Sequence, residues 1–221
     1  MTAQHQALPC PLCSSPAHWM LSDRKRSYWQ CERVSDGARA RAMAMTAKQE
    51  KAEYDRPRKP PRMIRATGAF SRAWRAAAAA PAAGQLLRLW LCPGPALALM
   101  LREQGHQVSL HDLYYHPNPA ALEQQWDFIT ATEVVEHLAA PRAVLEQLWR
   151  CLKPGGWLGL MTKRVTNPEA FSTWHYKSDP THISFFSEHS FHWLAQTLAG
   201  RVGDSGSGCR VTAQALTQRL R

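Results

Sequence analysis

The chain has 221 residues, 45% of them hydrophobic, and a formal net charge of +10; this length can bury one substantial core, so one main domain with a small appendage is expected. The surplus charge is local: residues 34–84 carry eleven Lys/Arg against four Asp/Glu and residues 105–200 six against nine, which argues against a phosphate-tracking groove and against nucleic acid as a partner. The longest apolar stretch, about 86–101, is broken by Arg88 and Pro93-Gly94-Pro95 and no leader-like segment opens the chain, so neither a membrane span nor a secretion signal is expected, and a cytoplasmic protein follows.

In chain order, residues 1–34 come first. Cys10 and Cys13 are spaced as one knuckle of a zinc ribbon, and Cys31 stands where a second knuckle would begin. The expected fourth ligand position holds Val34, so the metal set is Cys10, Cys13 and Cys31, with His18 as a stand-in. The competing reading is an unfolded remnant carrying three thiols. Cys92, Cys151 and Cys209 share no spacing and read as incidental reduced thiols.

Residues 35–84 read as a basic Ala/Arg/Pro-rich linker, largely disordered, with Arg56-Pro57-Arg58-Lys59-Pro60-Pro61-Arg62 and the run Ala76–Ala80. Beyond it, Pro95 to Gln104 is helical, with Leu97, Met100 and Leu101 on one face and Gly105 as its stop. Gly105 to Asp112 reads as a turn and a strand ending in an acid. Phe128 and Ile129 lie in a short buried strand, Pro141 opens a helix with Val144, Leu145, Leu148 and Leu152 on one face, and Pro154-Gly155-Gly156 ends it before the strand of Trp157, Leu158, Leu160 and Met161. Strand, helix and strand in that order make the βαβ crossover of a parallel sheet, whose ligands bind at the strand carboxyl ends. A helix with Phe191, Leu194, Ala195 and Leu198 follows, and residues 201–221 read as an irregular tail in which Gly203–Gly208 replaces the last two strands.

Glu133-Val134-Val135-Glu136-His137-Leu138, then Leu152 to Gly156, then Asp179-Pro180-Thr181-His182 with Phe185-Phe186-Ser187, resemble class I S-adenosylmethionine-dependent methyltransferases of the bacterial E-V-x-E-H-L / L-K-P-G-G type, over about residues 92–198. The resemblance implies an α/β Rossmann-like sheet with helices on both faces over residues 85–200, its C-terminal strands incomplete, behind a ribbon like those preceding the domain in some family members. It implies methyl transfer from S-adenosylmethionine to a small-molecule acceptor, with oxygen favoured. Cofactor contacts would come from Cys92, Gly94, Asp112, Thr132 and Glu133. Asp112, about 20 residues beyond the glycine-turn region, would accept the ribose hydroxyls; its plainer role is to cap the turn before Tyr114 and Tyr115.

The family's strand-one motif, D-x-G-x-G-x-G, is degraded here. Aligned back from Gly94, the acid is Arg88 and two glycines are Trp90 and Cys92, so a cation and an indole replace a carboxylate and open space. Weak cofactor binding is expected. Pattern that is lost and recovered, with family-like islands at Glu50–Asp55 and Phe70–Arg75, points to local frame slips in the coding DNA; the alternative to an active enzyme is therefore an inactive remnant or scaffold. A nicotinamide dehydrogenase on a similar sheet is disfavoured by the Glu133–Leu138 pattern.

Glu133, Glu136 and His137 would share a face if a helical turn starts there. Similar stretches in quinone-type O-methyltransferases are thought to hold a divalent metal, but the favoured reading has Glu133 lining the methionine pocket and Glu136 and His137 capping the next segment. His182 and His175, in the loop after strand five, are the candidate catalytic bases, since an imidazole suits proton removal from an oxygen nucleophile; the plainer reading has His182 fixing the loop through backbone hydrogen bonds. Trp174 and Tyr176 would line an aromatic or apolar substrate wall, with core packing an equal reading.

Overall fold

A computed structural model describes residues 6–34, 38–41, 45–56, 83–89, 96–204 and 208–213. The main body is a six-stranded sheet. Its four parallel strands are β5 (Gln85–Leu89), β6 (Gln107–His111), β7 (Trp126–Thr132) and β8 (Leu152–Met161), with β5 between β6 and β7 and β8 next to β7. The order β6-β5-β7-β8 reverses chain direction at β5, the kind of point where open α/β sheets bind ligands.

Alternation along the strands puts apolar layers on both faces. Phe128 packs with Leu86, Trp157, Leu97 and Leu101 on the face covered by α2 (Ala96–Glu103). Its neighbour Ile129 packs with Leu87, Leu158, Leu145 and Leu148 on the opposite face, under α3 (Pro141–Arg150). Leu145 and Leu148 are fully buried, each contributing about 1.5–3 kcal/mol. Gly105, at φ +90°, ends α2 in a conformation that glycine adopts without strain. Among the described residues no helix is long and apolar enough to cross a membrane.

The amino ends of the strands are tied by Asp127, which accepts from the Gln85 amide at 2.7 Å and from Lys153 Nζ at 3.0 Å. Just beyond Lys153, a Cβ on Gly156 would lie 2.9 Å from the carbonyl oxygens of both Asp127 and Lys153. Only glycine lets β8 pass β7 this closely.

The C-terminal segment, expected to be an irregular tail that left the sheet incomplete, supplies two strands instead. α4 (Glu188–Thr197), capped by Ser187 and burying Phe191, Leu194 and Ala195, leads into β10 (Gly200–Asp204) and β11 (Gly208–Ala213). They form an antiparallel hairpin whose second strand pairs antiparallel with β8 from Trp157 to Met161. Gly203, Asp204 and Gly208 of the Gly/Ser run expected to be tail are paired in these strands, and residues 205–207 lie outside the described residues.

A second sheet is built on the N-terminal segment. β1 (Leu8–Pro9), β2 (Pro16–Ser22), β3 (Ser27–Cys31) and β4 (Ala38–Arg41) form an antiparallel meander, and β4 pairs with β9 (Ser184–Phe185). The ribbon is thus stitched to the loop after β8. Within the stretch read as linker, β4 and α1 (Ala47–Tyr54) are formed; α1 has a capping box between Thr46 and Gln49. Residues 57–82, including the Pro/Arg and Ala runs, lie outside the described residues.

Candidate active site at the strand carboxyl ends

The carboxyl rim of the parallel strands carries a cleft of about 140 Å³ lined by Leu89, His111, Asp112, Leu122, Val134, Leu138 and Leu148, among others. Register explains the convergence. Leu89 pairs with His111 on one side and Ala131 on the other, so the residues leaving β6 and β7 emerge at one level.

Asp112 is 2% exposed. Its Oδ1 accepts from the amides of Tyr114 and Tyr115 at 2.7 and 2.8 Å, so the capping role is filled by one oxygen. Its Oδ2 is buried with no hydrogen-bond partner among the described residues. A buried carboxylate oxygen left unpaired is costly unless a ligand completes it, and vicinal hydroxyls are donors of the right kind. The cleft is otherwise mostly apolar, which suits a nucleoside's flat base. This buried acceptor fits S-adenosylmethionine on the ribose side.

Arg88 is different. It is 5% exposed on β5, level with Thr130 of β7, and its Nη1 donates to Thr132 Oγ1 at 3.4 Å. Burial lowers its pKa to about 10, which leaves it charged at neutral pH. A guanidinium at this rim opposes a ligand bearing a sulfonium and an ammonium. Trp90, Cys92 and Gly94, the rest of the degraded turn, lie outside the described residues, so the cofactor contacts expected of Cys92 and Gly94 are not placed.

Beyond Thr132 the chain turns through Glu133, a non-glycine residue at φ +53°, into a short 3-10 turn, Val135–His137. The left-handed Glu133 is backbone strain at the strand exit. Val134 and Leu138 face the cleft. Glu133 and Glu136 turn the other way, where Tyr176 Oη lies 3.1 Å from Glu133 Oε2, 3.1 Å from Thr162 Oγ1 and in a short contact with Glu136 Oε1. One phenol hydrogen cannot serve two carboxylates. Burial, with the charge of Glu133 second, pushes Glu136 up to about 8, which favours its protonated form. Burial also raises Glu133, and burial together with the two carboxyl groups raises Tyr176. Tyr176, read from sequence as a wall residue, is therefore the hinge of a buried proton-sharing network.

His182 is 8% exposed. Its Nδ1 lies 2.8 Å from the carbonyl oxygen of Tyr176, an acceptor only, so Nδ1 bears the hydrogen and the neutral ring's lone pair sits on Nε2. Its ring centroid is 4.1 Å from that of Tyr176 and 4.7 Å from that of His137. Ligand atoms of Glu136, His137 and His182 lie within 4.8 Å of one another, a set that could hold a divalent cation. Glu133, grouped with Glu136 and His137 in the sequence reading, is not part of this set. His175 is exposed, with Nε2 3.0 Å from Lys163 Nζ, on the outer side of the loop and apart from His182.

Sequence reasoning missed α1 as part of the site. Tyr54 Oη donates to Glu50 Oε1 at 2.9 Å and meets His137 Nδ1 at 3.0 Å, and Glu50 Oε2 accepts from Tyr114 Oη at 2.7 Å. The helix thus bridges the turn after Asp112 and the histidine pair. The Thr46-x-x-Gln49 capping box was the available signal.

In the ribbon, the sulfurs of Cys10, Cys13 and Cys31 lie within 4.8 Å of one another, and Cys13 and Cys31 are 3.4 Å apart. Burial raises Cys10 to about 12 and also raises Cys31; Cys13 is lowered because bonds from Ser15 and Cys31 outweigh its burial. Val34 is 2% exposed beside them, and His18 sits on the outer face with Nε2 2.7 Å from Glu32 Oε1. His18 is therefore no stand-in ligand. Among the described residues the site offers three of the four ligands that structural zinc takes.

The chain matches a family model described as a methyltransferase domain over residues 40–198. No curated protein matches it. Among solved structures, it is similar to the 1,6-didemethyltoxoflavin-N1-methyltransferase of Burkholderia thailandensis, solved with bound 1,6-didemethyltoxoflavin and S-adenosylhomocysteine: 13% identity, 88% of this chain and 96% of that one, TM-score 0.54. A SAM-dependent methyltransferase of Archaeoglobus fulgidus follows at 17% identity over 60% and 68% of the two chains, TM-score 0.50. The mitomycin 7-O-methyltransferase aligns at 14% identity over 73% and 59%, TM-score 0.51. These likenesses speak for the fold, and the family match spans most of the chain. The chain belongs to the methyltransferase-domain family whose model it matches over residues 40–198.

Proposed function

We propose that the chain transfers a methyl group from S-adenosylmethionine to an oxygen of a small-molecule acceptor, with Asp112 gripping the ribose and His182 taking the acceptor's proton. The observation that supports this reading most is the buried, unpartnered Oδ2 of Asp112 in a mostly apolar cleft. When bound, the cofactor supplies an electrophilic methyl group on a sulfonium. The chain's own work is alignment, exclusion of water and proton handling. Val134 and Leu138 wall the cleft, and the turn they share carries His137, whose ring lies 4.7 Å from that of His182, which supports reading His182 as the base. An oxygen acceptor is favoured because a histidine with its lone pair on Nε2 matches a hydroxyl's proton. The similar structures include both an N1- and a 7-O-methyltransferase, so fold likeness does not choose between them. Calorimetric titration with S-adenosylhomocysteine tests the cofactor half of the reading, and loss of methyl transfer in His182→Ala with cofactor binding retained tests the other half.

Arg88 favours a second reading, an inactive remnant. Its buried cation at the rim opposes the cofactor's positive groups, and in this reading the sheet persists without a ligand. Absence of heat at millimolar S-adenosylhomocysteine would support it.

A further inference from the structure

The tip of the ribbon's β2–β3 hairpin reaches the loop that carries His182. Asp23 closes the tip: its Oδ1 accepts from the amides of Lys25 and Arg26, both at 2.8 Å. Its Oδ2 reaches outward, accepting from Tyr28 Oη and Lys177 Nζ, both at 2.8 Å. Against the upward push of burial, these bonds hold the Asp23 carboxyl well below the usual range, and Lys177, 7% exposed, is paired by it. Arg26 then spreads its guanidinium over the loop backbone. Nη1 donates to the His182 carbonyl at 2.8 Å and, at the limit of a hydrogen bond, to that of Pro180 at 3.5 Å; Nη2 donates to the Asp179 carbonyl at 3.0 Å and to that of Lys177 at short range. A planar fork with fixed donors can gather several carbonyls in one geometry, which a single ammonium cannot. The loop so gathered is the one whose Tyr176 carbonyl fixes the His182 ring and whose Ile183 amide bonds to the Glu136 carbonyl at 2.8 Å.

We propose that Arg26 and Asp23 are positioning residues for His182: the ribbon is a brace that sets the loop, and through it the orientation and tautomer of the imidazole. This rests on the reading of His182 as the base, but the brace is measurable without any acceptor. In the full chain, backbone hydrogen exchange at His182 and Ile183 and the side-chain ¹⁵N shifts of His182 are compared among the unchanged protein, Arg26→Ala, Arg26→Lys and Asp23→Asn, with the Leu158 amide of β8 as the control for global opening. Exchange at least fivefold faster at His182 and Ile183 in Arg26→Ala, a smaller rise in Arg26→Lys, an unchanged Leu158 and a His182 ring that samples both tautomers are expected. If Arg26→Ala fails to fold, Arg26→Lys and Asp23→Asn carry the same comparison. Loop exchange within fivefold and a single Nδ1–H tautomer in every folded variant would overturn the brace. A His182→Ala chain that still transfers methyl would instead overturn the base while leaving these readouts decisive.

Discussion

A buried carboxyl whose proton comes from its surroundings leaves a signature in stability. Glu136, fully buried beside Glu133 and Tyr176, is raised to about 8 from an ordinary value near 4.5. Its contribution to stability is full below the unfolded value and falls away as pH rises through 8, because the unfolded chain releases that proton first. Glu136→Gln keeps a neutral donor for the Tyr176 oxygen and removes the charge. It should lose less stability than the unchanged protein between pH 5 and pH 9, by at least about 1 kcal/mol, read as a smaller fall in denaturant midpoint. An equal fall in both would show that Glu136 ionises without penalty. Residues at this scale were unevenly legible. Asp112 could be read because its position follows from a strand end and a spacing. Tyr176, Arg26 and Asp23 could not, because their partners lie far along the chain: 40 residues separate Tyr176 from Glu136 and 156 separate Arg26 from His182.

Among the elements, the parallel strands and α3 were legible because a buried strand, an N1 proline and one apolar helix face are local signals. β10 and β11 were not. Glycine and serine between them mimic tail sequence, and the pairing that joins β11 to the sheet is with β8, about 50 residues away. Gly156 was read only as a helix stop, whereas its tighter constraint is the passage of β8 over the Asp127 carbonyl. Gly156→Ala should cost about 1–3 kcal/mol through that clash, lowering the melting temperature by several degrees. An unchanged melting temperature would mean that β7 and β8 separate freely at that end.

For the molecule as a whole, two sheets share one loop: the ribbon sheet enters it through β4–β9 pairing and the Arg26 fork, and the parallel sheet through the turn after β7. The ribbon's thiol site bears on that arrangement. Three sulfurs with Val34 buried beside them leave a tetrahedral ion one ligand short among the described residues, so Val34→Cys should tighten zinc binding by at least tenfold in a chelator competition and raise thermal stability with zinc present. No gain in affinity would mean that position 34 does not face the metal.

The central claim is that the rim around Asp112 is a cofactor cleft, and calorimetric titration with S-adenosylhomocysteine at millimolar concentration tests it most directly. A saturable heat that disappears in Asp112→Ala, in a chain that still folds by circular dichroism, and that tightens at least tenfold in Arg88→Asp is the predicted result. Heat unaltered by Asp112→Ala, or none even after Arg88→Asp, would contradict it.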